Sequence, residues 1–257
     1  MKKIWITSLS SDETKVQKIM AMAKKYALDA HGHFWLDDPK KMAWLGPREE
    51  LIKDDTALWL ILSSDTDLVS SSVRYGLSML ALSMQGVRGH GVPVIFLHEG
   101  EIPSIDTLPT PFHGAEIFAI DNPAVGAKLV AKANMPLKKV PVDYRFDIYA
   151  MPQLGQWFEI GPVHSTWKGV MFGVFGAEID AHGVGPSGKL PEKSVLEYPM
   201  QGLQVAVGED EHTAWAVQNE LDEGSSYYVR VQGEPQSILF GPLTEDDDAD
   251  VYILKLQ

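Results

Sequence analysis

Four short polar clusters stand where apolar runs end. Ser8, Ser10 and Ser11 close the run KIWITSL. Asp37 and Asp38 follow residues 32–36. Ser63, Ser64 and Asp65 follow ALWLIL, and His98 with Glu99 closes VPVIFLH. Hydroxyls, carboxylates and an imidazole at successive strand ends have two readings. Singly, each caps the helix that follows it. Together, they line one rim able to hold a polar ligand. Arg74, beyond the third cluster, offers a donor fork for a phosphate. There is no Walker A loop, Gly-x-Gly-x-x-Gly, His-Glu-x-x-His or Gly-x-Ser-x-Gly elbow. The eight histidines are scattered. His31 and His33 share a strand face without an identifiable third ligand, so no metal site is expected. His90, His98 and His113 either meet near the sheet edge or cap and face solvent. Glu245–Asp248 reads as a solvated turn rather than a calcium loop, because the spaced oxygen ligands and glycine are missing. Trp157, Trp167 and Trp215 read as core anchors ahead of a stacking surface.

Two kinds of pattern must position these residues. Up to about residue 135 the chain alternates short apolar runs with helical periodicity. The helices expected are residues 12–28, capped by Ser11 or Asp12, a short one opening at Gly46-Pro47, residues 70–85, and one opening at Asn122-Pro123. The strands are residues 3–9, 32–36, 57–62, 92–98 and 116–120. This predicts a five-stranded parallel, flavodoxin-like sheet with helices on both faces, over 1–135. Residues 136–141 read as a linker. Over 142–257 the period shifts to two. About eight short strands separated by Gly, Pro, Asp and Ser predict a mostly antiparallel β-sandwich or barrel. One of these strands is expected at 170–179.

Composition narrows the function classes. The 257 residues carry a formal charge of −13. Residues 1–137 are near neutral, with 14 basic against 16 acidic side chains, and residues 138–257 hold 8 against 19. An acidic half argues against nucleic acid and anionic membranes as partners. There are no cysteines, which removes disulfides and thiol chemistry. Mean hydropathy is −0.09 and no apolar run approaches membrane-span length, so a cytoplasmic protein is expected.

The order of features over 1–135 resembles a Toll/interleukin-1 receptor (TIR) domain; the β half lies outside the resemblance. The Ser-rich exit of the first strand, Trp35-Leu36-Asp37-Asp38, Gly46-Pro47 before Glu50-Leu51-Ile52, ALWLILS, and the opening Ser70-Ser71-Ser72-Val73-Arg74-Tyr75-Gly76-Leu77 carry it. NAD-cleaving members of that family use a glutamate on this last helix, where a carboxylate stabilises a cation-like transition state. Here the aligned position is Gly76, and residues 70–85 contain no acid.

Two functions follow. The first is a non-catalytic TIR-like interaction or signalling module that assembles with itself or a protein partner. Its contact loop would be 37–48, with Trp44 at an exposed tip beside Pro47. The second is a nucleotide-binding enzyme acting on NAD or a nucleoside N-glycosidic bond. Its rim would be Ser8, Ser10, Asp37, Ser63, Ser64, Arg74, Gly76 and His98, and Glu99 or Asp65 would supply the relocated acid. NAD or another nucleotide is the only cofactor or ligand in view. A receiver or FMN-binding flavodoxin is disfavoured by late acids and by a hydroxyl-rich first loop without glycine.

Overall fold

The computed structural model describes residues 1–152, 154–243 and 251–257. The chain divides into two compact units, Met1–Val140 and Pro141–Gln257.

In the first unit the β-α alternation becomes β1 (Lys2–Ser8), α1 (Glu13–Lys25), β2 (Leu28–Phe34), the single-turn α2 (Arg48–Leu51), β3 (Thr56–Ser64), the single-turn α3 (Asp65–Leu68), α4 (Ser71–Arg88), β4 (Val94–Glu99), β5 (Glu116–Ala119) and α5 (Val125–Asn134). The strands are all parallel in the order β2-β1-β3-β4-β5. Ile4, Ile6, Leu58, Leu60, Leu62, Ile95 and Leu97 pack one sheet face against Ile19 and Ala23 of α1 and Val125 and Leu129 of α5. Strand alternation turns Trp5, Thr7, Trp59, Ile61 and Phe96 to the other face. There Trp59 Nε1 donates to Thr7 Oγ1 at 2.8 Å, and Phe112 meets both Trp59 and Phe96.

Three local expectations shift. β2 starts four residues before the expected 32–36, because Leu28 is the residue that enters the core. Its other side chains alternate polar on an edge strand, which blurs the pattern. The helix expected at Gly46-Pro47 is only the single turn α2, with Pro47 as its N-cap residue. Asp12, rather than Ser11, caps α1 by accepting from the Lys15 N–H at 2.9 Å.

The second unit is built from two antiparallel sheets. β6 (Tyr144–Met151), β7 (Gly155–Pro162), β12 (Ser225–Gln232) and β9 (Glu178–Pro186) form one, in that order. The other runs β10 (Met200–Val207), β11 (Asp210–Val217), β8 (Val170–Phe175), β13 (Ser237–Pro242), β14 (Tyr252–Lys255). Phe146 and Phe158 from the first sheet meet Phe240 and Phe172 from the second, with ring centroids 5.4 and 5.5 Å apart. The strand expected at 170–179 is two strands. Gly176, at φ 77°, lets the chain turn, so β8 and β9 enter different sheets. The acidic turn Glu245–Asp248 lies outside the described residues.

Candidate functional site

The carboxyl ends of β1, β3 and β4 bring several of the named side chains to one rim. Ser63 ends its apolar run inside the sheet, so its hydroxyl is buried beside β4. His98, only 1% exposed, bonds Ser63 Oγ through Nδ1 at 3.0 Å and Asp65 Oδ1 through Nε2 at 2.9 Å. A carboxylate only accepts, so Nε2–H donates to Asp65, and in the neutral imidazole Nδ1 accepts from the Ser63 hydroxyl. This Ser-His-Asp chain is oriented opposite to a hydrolase triad. The serine is buried, and the carboxylate end is 64% exposed. The group presented outward is therefore Asp65, held by a buried imidazole. Gly100, at φ 124°, lies directly against that carboxylate, where any side chain would collide. Glu99 points away from it and pairs with Lys15 of α1.

Four further rim residues, Ser8, Ser64, Asp37 and Arg74, are committed to bonds within the fold. Ser8 is buried and donates to the Ser10 carbonyl at 2.7 Å. Ser64 caps α3 in a reciprocal box with Asp67. Asp37 accepts from Ser72 at 2.6 Å, tying the loop after β2 to the first turn of α4. Arg74 donates to the carbonyls of Leu68 and Thr107, at 3.1 and 2.7 Å. These two bonds make it a staple between loops. Burial holds its guanidinium pKa below the usual value.

Gly76 is not simply a close helix–sheet contact. A Cβ there would stand 2.7 Å from the ring edge of Trp35 and 3.7 Å from Trp44 Cβ. The Trp35 indole fills the space beside Gly76. Trp44 is 2% exposed, which overturns its reading as an exposed tip. The loop folds back so that this large ring is buried against α4, and Pro47 is buried with it. The indole nitrogens of Trp35 and Trp44 and Nε2 of His33 are buried without a hydrogen-bond partner. His33 Nδ1 accepts from Trp5 Nε1 at 3.1 Å, and burial pushes the imidazole pKa down to about 4. His31 shares that strand face as expected and sits 3.1 Å from Asp29. His90 and His113 do not join His98: His90 precedes β4, and His113 contacts the Leu108 carbonyl.

In the second unit, sequence reasoning missed Glu159. This carboxylate is 1% exposed on the outer face of β7. It accepts from Tyr149 Oη at 2.8 Å, Ser226 Oγ at 2.6 Å and the Gly188 N–H at 2.8 Å, with Arg145 Nε at 3.4 Å. Burial, then the Glu159 charge, pushes the Tyr228 hydroxyl up to about 12. Every member has a partner, so the cluster pins the 187–189 segment to the sheet. The available signal was a lone glutamate inside the apolar strand QWFEIG. Trp167 is core, whereas Trp157 lies under Arg230 at 5.4 Å and Trp215 meets the edge of His182.

No protein-family model matches the chain, and no curated protein matches it.

Proposed function

We propose that the α/β unit is a non-catalytic interaction and signalling module of the TIR-like kind, with the β unit appended, and that it assembles with a second copy through the carboxyl-end rim. The observation that carries this reading is the Trp35 ring packed on Gly76, in the space a ribose-binding acid would need. The bonds of Ser8, Ser64, Asp37 and Arg74 add to it. They spend the polar rim on rigidity and leave three apolar side chains outward: Leu36 after β2, Val69 after α3 and Ile102 after β4. Burying each such side chain contributes on the order of 1.5–3 kcal/mol, enough for three on a rigid rim to drive association. The test is sedimentation velocity across a concentration series for the whole chain and for Leu36→Asp and Val69→Asp. The expected result is concentration-dependent association that both variants abolish while circular dichroism stays unchanged. A monomer at every concentration, or association indifferent to both variants, overturns the proposal.

One observation favours the second reading, N-glycosidic chemistry on a nucleotide. Asp65 is an exposed carboxylate positioned by a buried histidine, as an electrostatic stabiliser of a ribosyl cation would be. On that reading turnover depends on Asp65 and not on Glu99, which Lys15 occupies.

A further inference from the structure

At the opposite end of the sheet, among the amino ends of β1, β2 and β3, the first unit has an open cleft of about 500 Å³. Arg88, the last residue of α4, lines it with a side chain only 3% exposed. Its Nη1 donates to the carbonyls of Leu51 and Thr56, at 3.2 and 2.7 Å. Its other edge, Nε and Nη2, makes no hydrogen bond among the described residues. Asp54 Oδ1, which also lines the cavity, stands 4.0 Å from Nε. Burial lowers the guanidinium pKa, and the charges of Asp54 and Asp55 act against it; Asp54 is fully exposed, so solvent screens its share. Of the other charged lining groups, Lys3 is bound to Glu50 at 2.7 Å and to Asp55 at 3.6 Å. Asp29 sits 3.1 Å from His31 Nε2, and Lys2 is exposed. Ala57, Ala133, Met135 and Leu137 give the cavity an apolar wall.

A buried guanidinium with a two-donor edge, lining a partly apolar cleft, is half of a bidentate pair. Such a planar fork matches a carboxylate. We infer that this cavity is a binding site for a small amphiphilic carboxylate, whose head engages Nε and Nη2 of Arg88 and whose hydrocarbon part lies against Ala57 and Leu137. The site is remote from the rim and stands whether or not the proposed assembly does.

The test uses the full chain with hexanoate, acetate and inorganic phosphate as probes at matched ionic strength. Arg Nε–H resonances and thermal midpoints are followed together. The expected result is a saturable shift of the Arg88 Nε–H signal with hexanoate, a raised midpoint, and binding at least about tenfold weaker for acetate, which lacks the tail. Arg88→Lys should abolish binding. Because Nη1 also staples α4 to the β3 entrance, that variant can lose stability. Leu137→Glu on the exposed lip is therefore the second variant, expected to weaken hexanoate binding by at least about tenfold with the fold intact. No saturable shift with hexanoate overturns the site. Tighter binding of phosphate than of hexanoate overturns the carboxylate assignment, and hexanoate binding unaltered in Leu137→Glu overturns the location.

Discussion

At the residue scale, Gly76 shows how a missing side chain makes room for a distant one. Adding a methyl to an interior helical glycine normally gains about 1 kcal/mol of helix propensity. Here the new Cβ would stand 2.7 Å from the Trp35 ring edge. Overpacking of this kind costs about 1–3 kcal/mol, so the clash wins. Gly76→Ala should therefore lower the denaturant midpoint, and Trp35→Leu in the same chain should recover part of the loss. A stabilised single variant would show that Trp35 does not fill this space. The absent acid was legible in the sequence, since residues 70–85 contain none. The indole in its place was not, because Trp35 is 41 positions away and reaches Gly76 only through the turn after β2. Trp44 failed for a related reason. A tryptophan in a polar loop looks the same in sequence whether the loop lies outward or folds back.

At the element scale, β2 carries the clearest pH dependence. His33 titrates near 4 in the fold, against an ordinary value of 6.5. Below pH 6.5 the unfolded chain therefore takes up the proton first. Stability falls as pH drops from 6.5 until the folded histidine itself protonates near 4. Burial also lowers His90, His182 and His212, so they add to the same trend. Glu50, held down to about 2 by Lys3 and Lys53, adds stability that is full above its ordinary 4.5 and is lost as pH falls from there towards 2. His33→Asn keeps an acceptor for Trp5 and removes the titration. Its urea midpoint should vary less with pH between 6.5 and 4.5 than that of the parent chain; an identical pH profile would exclude His33 as a source. The strands themselves were readable wherever the period was unambiguous, as in ALWLIL or VPVIFLH. The turn at Gly176 and the start of β2 were not. A glycine between two apolar runs leaves the turn unmarked, and an edge strand alternates polar residues on its open face.

At the scale of the whole molecule, a parallel five-stranded unit and a two-sheet antiparallel unit follow one another along the chain. That architecture was legible because the apolar period changes near residue 140. The convergence of Ser63, Asp65 and His98 was legible as a shared rim but not as a hydrogen-bonded chain. The buried Glu159 cluster was not legible, because Ser226 and Gly188 reach the β6-β7 pair from distant parts of the chain. What unites the α/β unit is a rim whose polar groups brace its own loops, with the Trp35 ring packed on Gly76, which we propose leaves no room there for a ribose-binding acid. The most direct test of that account is prolonged incubation of the pure chain with NAD, read by chromatography for nicotinamide, beside an Asp65→Asn control. The predicted result is no nicotinamide above the buffer blank in either sample. Release by the parent chain that Asp65→Asn removes would contradict it and establish an enzyme with a relocated carboxylate.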